Sequence, residues 1–362
     1  GYNVETSYIA YTVDAIYPDA DVKIYAVDAA DAAKVNVFSI YNITLDDVDL
    51  TPLTGAYAIS LGGTGLDASK VAMPVAPGLG ELNFQNNELT SFPYGEAYPN
   101  LNTLNLSDNA ISSFDFQDIP GVGYVSLSSN NLTDLTINSD NVWSVFADNN
   151  RIETVDLSGA PKLSQLLLHS NCLSEIDIEP VKETLNVLSL VDNRFDFTSL
   201  PLPSDYPRLT VFYYGNQAPI EAECTNGQVD LSAQAVIGGE ETLYAWYADI
   251  QTYDPDSDSY VDSPLEEGTD YTMEGGVTTF LRQPAAKVYC LMTNATFPNL
   301  QLSTVLIDVE TNAVEGIAAD SNAVIEVYNV NGVLVAKGVA REAIRNLAPG
   351  IYVAGGRKII VK

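Results

Sequence analysis

The chain holds a single histidine, His169, so any Ser–His or Cys–His pair would have to run through it. No second His and no Cys stands in ligand register with it. Neither a GxSxG elbow, an HExxH motif nor a phosphate loop occurs. His169 is therefore read as a surface hydrogen-bonding group; no catalytic residue and no cofactor is expected, and the chain reads as no enzyme. One run has the spacing of hard-cation ligands: Asp254, Asp256 and Asp258 alternate ahead of Asp262, and calcium favours such carboxylate clusters. Ser259 stands where a twelve-residue calcium loop needs Gly, and Leu265 stands where it needs Glu, so an acidic hairpin loop is the stronger expectation. Three cysteines are too few for a disulfide framework. Cys172 is expected to be free and partly exposed, whereas Cys224 and Cys290 share one downstream segment and could pair in an oxidising compartment. The remaining chemistry is recognition by contact, through Tyr124, Trp143, Phe146, Leu167, His169, Val187, Val211 and Tyr213. Tyr and Trp at the centre of an exposed patch are the types that carry binding hot spots.

The elements that position these side chains are legible as a repeat. Seven copies of apolar-x-x-apolar-x-apolar-x-x-Asn-x-apolar-x-x-apolar run through the middle of the chain at steps of 20 to 24 residues. The clearest are Leu101-Leu104-Leu106-Asn109-Ile111-Phe114, Val122-Val125-Leu127-Asn130-Leu132-Leu135 and Leu163-Leu166-Leu168-Asn171-Leu173-Ile176. Others begin at Leu79, Val142, Leu185 and Leu209, the last with Gln217 in the Asn place. The chain is thereby identified as a leucine-rich repeat protein. One such repeat cannot close its own core, so neighbours must stack into a solenoid. Asn87, Asn109, Asn130, Asn150, Asn171 and Asn193 are read as an inward ladder that satisfies backbone groups at each bend, each worth about 1–3 kcal/mol. In this geometry positions 2, 3, 5, 7 and 8 of each copy face the concave sheet. The early copies place polar groups there (Glu81, Asn83, Gln85, Asn102, Thr103, Asn105, Ser107), and the middle copies place the aromatic and apolar set named above.

Composition narrows the partners. Against 48 acidic side chains stand 16 basic ones, giving a net charge of −32, which repels nucleic acid and anionic lipid. No apolar run is long enough to span a membrane. The chain starts abruptly in strand-like sequence without a signal peptide, as a mature or truncated chain would.

The expected fold is mainly β. Residues 1–52 read as an N-terminal β-rich cap, with Tyr8–Val13 and Val35–Ile40 as strands. Residues 53–218 form the repeat arc, whose first, degenerate copy is Ala56-Ile59-Leu61-Thr64-Leu66. In 219–311 the period is replaced by sandwich-like strands: Val229–Ala233, Leu243–Tyr247, Val277–Leu281, Lys287–Leu291 and Thr304–Val309. Central Trp246 with a late Tyr289-Cys290 resembles the immunoglobulin fold, in which Trp packs on an inter-sheet disulfide; here Leu231 stands near the place of the first cysteine. Residues 312–362 carry a hairpin turning at Asn331-Gly332, then Leu347-Ala348-Pro349-Gly350-Ile351-Tyr352-Val353, a short hairpin at Gly355-Gly356 and a closing strand. Through Tyr328, Asn329, Asn331, Gly332, Gly350, Tyr352, Lys358 and Lys362 this segment resembles the C-terminal sorting domain of the type IX secretion system, the Por secretion tail. That resemblance implies engagement of bacterial secretion machinery and an outer-membrane-surface or extracellular location. The functional expectation is adhesion or recognition of a protein or peptide on the concave face. Glycan capture on the same aromatic face, and a structural spacer of the cell envelope, are the alternatives.

Overall fold

A computed structural model of the chain describes residues 23–24, 29–92, 98–254, 258–310, 324–339, 343, 347–354 and 357–361. The expected strand Tyr8–Val13 and the turn at Gly355-Gly356 lie outside these residues. Two compact units emerge. The first runs to Leu190 and takes in Tyr206–Tyr213; the second takes Val191–Asp205 and the described chain from Tyr214 onward.

The first unit is a leucine-rich repeat solenoid. Nine short parallel strands form one sheet, in chain order Val37–Tyr41, Ala58–Gly62, Glu81–Asn83, Thr103–Asn105, Tyr124–Ser126, Ser144–Phe146, Gln165–Leu167, Val187–Ser189 and Val211–Tyr213. In the six strands from Glu81–Asn83 to Val187–Ser189 the middle residue points into the core: Leu82, Leu104, Val125, Val145, Leu166 and Leu188 pair in one unbroken row and are buried. Away from this sheet, Asp134–Asn138 pairs with Thr154–Gly159, and Asp47–Asp49 lies between Lys23–Ile24 and Val71–Ala72. The sheet therefore begins before residue 53. Val37–Tyr41 pairs in parallel with Ala58–Gly62, so this part of the expected cap is a turn of the solenoid. Its frame is hidden because Phe38 and Ile40 align with Ile59 and Leu61 while the ladder place falls on Ile43 and then Thr64, where no Asn marks it.

The Asn ladder is built as the pattern predicts. Asn130 Nδ2 donates to the carbonyls of Leu106, Leu127 and Ser128, and its Oδ1 accepts from the Ile111 N–H at 2.9 Å. Asn109, Asn150 and Asn171 repeat this arrangement. Each amide thus ties its own bend to the turn before it. Asn87 does the same for a turn that lacks Asn, accepting from the Thr64 hydroxyl and from the Thr64 and Leu66 amides. The longer Gln217 still reaches, taking the Phe195 N–H on Oε1. The residue before each ladder position has a positive φ: Asn86, Asp108, Ser129, Asn149, Ser170, Asp192 and Asn216 lie between 53° and 58°. Short polar side chains tolerate this left-handed backbone better than branched ones.

In the second unit, two sandwich-like sheets follow. One orders Gln228–Asp230, Val277–Phe280 and Tyr271–Glu274; the other orders Ser259–Pro264, Leu243–Asp254, Val288–Thr293 and Gln301–Ser303. The last expected strand is displaced: the ladder runs through Gln301–Ser303, and Thr304 and Ile307 make only isolated bridges. Trp246, 1% exposed, joins the sheets by donating from Nε1 to Thr278 Oγ1 at 3.0 Å and by an edge contact with Phe280. Cys290 lies directly opposite it and is buried, while Cys224 is half-buried in the loop before Thr225; no disulfide joins these two or Cys172. The pairing open in the sequence is thus not made, and a hydrogen bond anchors the tryptophan instead.

The chain on either side of the final solenoid strand, Val191–Asp205 and from Tyr214 onward, belongs to this second unit. Phe197 stacks on Phe297 with ring centroids 6.2 Å apart, and Tyr214 meets the same ring edge-on at 5.3 Å. Buried Gln234 accepts from the Phe197 N–H and donates to Asp196 Oδ2 at 2.8 Å. The unit boundary consequently falls inside the last repeat, not at residue 218. Further on, a four-stranded antiparallel sheet orders Leu334–Val339, Val324–Asn329, Gly350–Ala354 and Arg357–Val361 around a small core of Val327, Ala343 and Ala354.

Two outcomes follow from these bonds. Asn130→Ala strands three carbonyls and an amide inside the stack and is expected to destabilise the repeat unit by about 1–3 kcal/mol in urea unfolding. At Asp196, burial is the largest influence and pushes the carboxyl up, but hydrogen bonds from Thr198, Gln234 and Ser199 together outweigh it, leaving it below the ordinary value. A depressed folded value adds stability above the unfolded value of about 3.9, and that stability is lost as pH falls through the folded value. Asp196→Ala is expected to weaken the second unit at neutral pH and to remove part of its acid sensitivity, read from Trp246 emission in urea titrations across that range.

Candidate functional site

Strand register assigns each expected recognition residue to a column across the sheet. Thr103, Tyr124, Ser144, Gln165, Val187 and Val211 occupy one outward column; Asn105, Ser126, Phe146, Leu167, Ser189 and Tyr213 occupy the other. Before the strands runs a third column, tied by backbone bonds, through Tyr57, Gly80, Asn102, Gly123, Trp143, Ser164 and Asn186. After them runs a fourth, holding Gln85, Ser107, Ser128, Asp148 and His169. The buried row beneath fixes which side of each strand faces outward, because side chains alternate with a period of two.

Three aromatic rings come together on this face. Tyr124 meets Phe146 edge-on with centroids 5.2 Å apart and Trp143 at 6.4 Å with a 48° tilt. Trp143 is 46% exposed, yet its indole is held in place: it leans over Gly123, where an added Cβ would sit 2.7 Å from Nε1. Beneath the cluster Ser144 is fully buried and bonds Gln165 at 3.1 Å. Leu167, Val187 and Val211 continue the apolar surface half-buried, and Tyr213 ends it with 57% exposure. Burial is the largest influence on the Tyr124 phenol and pushes its pKa up, opposed by a bond to the Ser126 side chain and aided by the charge of Asp148.

His169 lies at the edge of this patch. Its Nε2 is 3.4 Å from Asp148 Oδ2, which also accepts from Asn149, while Asp148 Oδ1 accepts from Ser128 Oγ at 2.6 Å. The carboxylate is only 14% exposed. Toward the early copies the face turns polar: Asn105 Nδ2 donates to Gln85 Oε1, Asn105 Oδ1 accepts from Ser107, and Ser107 bonds Ser126 at 2.7 Å. These groups mostly satisfy one another, as polar groups on a crowded face must.

The sequence did not single out Asp148, Gly123 or Gln165. A signal for the glycine exists in the third column, where Gly80 lies under Tyr57 as Gly123 lies under Trp143. Aromatic and glycine share a column in adjacent turns, and only the missing side chain leaves room for the ring.

The other candidate residues have local structural roles. Asp254 ends the long strand, Asp256 lies outside the described residues, and Asp258 sits at φ 49° beside a hairpin turn. Asp262 accepts from Tyr289 and Gln251. Among the described residues no group of three or more His, Cys, Asp or Glu side chains could hold a metal. In the C-terminal sheet Asn329 Oδ1 accepts from the Asn331 and Val333 amides, and Gly332 turns at φ 75°. Tyr328 donates to Glu326, and Tyr352 donates to the Ala348 carbonyl. Gly350 opens one strand and Lys358 lies within the next, opposite Val353; Lys362 falls outside the described residues.

No family model matches the chain, and neither does any curated protein. Among solved structures it is similar to the functional domain of InlJ from Listeria monocytogenes, at 16% identity over 79% of this chain and 69% of that one, with a TM-score of 0.48. Listeria monocytogenes InlP gives 17% identity, 78% and 90% coverage and a TM-score of 0.47. The leucine-rich repeat domain of APL1B gives 18%, 57% and 66% coverage and 0.43. Likenesses of this size assign no function, and the repeat fold stands on the register and ladder described above.

Because Gly123 is the seat of the indole, Gly123→Ala is expected to displace Trp143 without unfolding the sheet. Its exposed component of tryptophan emission should shift while the buried Trp246 component stays, read by iodide quenching.

Proposed function

We propose that the chain is an exported bacterial surface protein that recognises a protein or peptide partner on the concave face of its repeats, centred on Tyr124, Trp143 and Phe146. The observation that carries this reading is an aromatic cluster open to solvent on a sheet whose opposite side already holds the core. Exposing half of a tryptophan does nothing for folding, and each ring is positioned by neighbours before any partner arrives. A preformed aromatic patch loses little conformational freedom on binding and has the composition of a hot spot. Leu167, Val187, Val211 and Tyr213 widen it to the breadth a protein surface needs, and the Asn and Ser groups beside it suit a peptide backbone.

The remaining parts fit an exported adhesin without catalysis. His169, the sole imidazole, turns toward Asp148 at the edge of the face, which supports a binding role for it. The C-terminal sheet with its Asn331-Gly332 turn supports the Por secretion tail reading, and with it delivery by secretion machinery to the outer-membrane surface or beyond. The two sheets about Trp246 support an immunoglobulin-like domain lying between repeats and tail in the sequence. A net charge of −32 accords with a soluble extracellular surface and against nucleic acid.

Purified protein and a Trp143→Ser/Phe146→Ser variant are compared on parallel arrays of extracellular matrix proteins and host glycans. Wild type is expected to capture a protein, and the variant to bind it at least about 30-fold more weakly, the scale of losing one hot spot. Trp246 emission and thermal unfolding serve as the check on folding. Capture of glycans alone would move the assignment to carbohydrate, and no capture, or equal capture by both, would leave the envelope spacer as the better reading.

A further inference from the structure

We propose that the Tyr124–Trp143–Phe146 cluster and Asp148 form a seat for a cationic side chain, so that the partner presents a lysine or arginine at the centre of the concave face. This inference rests on the reading of that face as a peptide-binding surface and adds the chemistry of the residue it selects.

Three features of the face converge on a cation. Tyr124 and Phe146 stand nearly perpendicular, with an interplanar angle of 77°, and Trp143 closes the other flank of Tyr124 at 48°. Trp143 stays 46% exposed beside this pair, and electron-rich ring faces attract ammonium and guanidinium groups. Asp148 follows Phe146 by two residues and supplies a full negative charge beside these rings. Its carboxylate is largely withdrawn from water yet accepts hydrogen bonds from Ser128 and Asn149, with His169 Nε2 3.4 Å away, leaving lone-pair capacity on its two oxygens. A carboxylate held that way attracts a cation more strongly than one in open solvent.

The third feature is the lack of a Lys or Arg in the columns of this face. Neither outward column, from Val37 and Ser39 to Val211 and Tyr213, nor either flanking column contains a Lys or Arg; Glu81 and Asp148 are their charged members apart from the titratable His169. An aromatic seat with an adjacent carboxylate is therefore left without a lysine or arginine of its own, His169 being the neighbour of Asp148 in these columns. The surrounding field, from a net charge of −32, draws in positive segments and rejects acidic ones. A neutral sugar could stack on Trp143, but it would make no use of the charge on Asp148.

The test uses the full chain and immobilised nonapeptide mixtures in which the central residue is fixed as one of the twenty types and the others are randomised. Lys and Arg at the centre are expected to be retained about tenfold over Gln, a ratio within the range of desolvated cation–π contacts. Asp148→Asn should remove most of that preference, whereas Glu81→Gln, which deletes the same charge farther along the face, should leave it. Trp143→Ser/Phe146→Ser should abolish peptide retention, with Trp246 emission reporting an intact fold. Peptide retention that depends on Trp143 and Phe146 but shows no preference for Lys or Arg would overturn this inference and leave the peptide-binding reading standing. An equal loss in Asp148→Asn and Glu81→Gln would assign the preference to the general field and also overturn it. No retention of any mixture, or retention of oligosaccharides alone, would remove both readings.

Discussion

Each short strand of the solenoid ends in a bend that leaves carbonyls pointing into a dry interior, and the need to satisfy them governs the whole repeat unit. One amide answers it in each turn. Asn130 gives its two N–H groups to carbonyls of its own bend and of the bend before, and takes an N–H from that earlier turn on its oxygen. Since the bonds to the Leu106 carbonyl and from the Ile111 N–H cross between turns, the ladder links separate local patterns into one stack. It also fixes where each strand stops. With the stop fixed, the three residues before it are in register across the sheet, and that register is what gathers Tyr124, Phe146 and Leu167 on one side.

Much of this could be read directly, and what could not has identifiable causes. Six Asn marks, with Gln217 in the last copy, made seven turns visible. The turn with Thr64 in the ladder place was legible only as a degenerate copy, where the neighbouring Asn87 makes good the loss from outside, and the turn before that, with Ile43 in the ladder place, went unread. Counting positions from each Asn puts Tyr124, Phe146 and Leu167 in the same strand columns as the register does, since a strand alternates strictly. Ring direction does not follow from counting: whether Trp143 lies flat or stands up depends on the volume of the residue one turn away. Gly123 decides that, and its influence appears only when columns, not segments, are compared. Asp148 was missed for a related reason, for an aspartate in so acidic a chain carries little information until its neighbours are known. The aromatic stack of Phe197, Phe297 and Tyr214 joins residues far apart in sequence and has no periodic signature at all.

The two tryptophans illustrate how one residue type takes opposite roles. Trp246 is enclosed between sheets, and its single polar atom is satisfied by Thr278. Trp143 rests one edge on a glycine and leaves much of its surface to solvent. The first is fixed by the demands of a core, where a buried donor needs a partner. The second is fixed by the demands of a surface, where rigidity without burial is the unusual property. Charge divides in the same manner along the chain. The repeat face excludes Lys and Arg, while the last segment, from residue 312, has six of them against four acidic side chains.

The fusion of the last solenoid turn with the sandwich unit bears on how such a chain can change over generations. Repeat arrays commonly grow and shrink by duplication or loss of single turns through unequal recombination. Here the terminal turn is not interchangeable with its fellows: Asp196, Phe197 and Tyr214 are matched to Gln234 and Phe297, which no other turn can engage. Gain or loss of copies is thereby restricted to the turns upstream of Leu190. The parallel sheet could be lengthened or shortened by whole modules while the downstream end kept its matched contacts, so that array length and the terminal packing would evolve as separable traits.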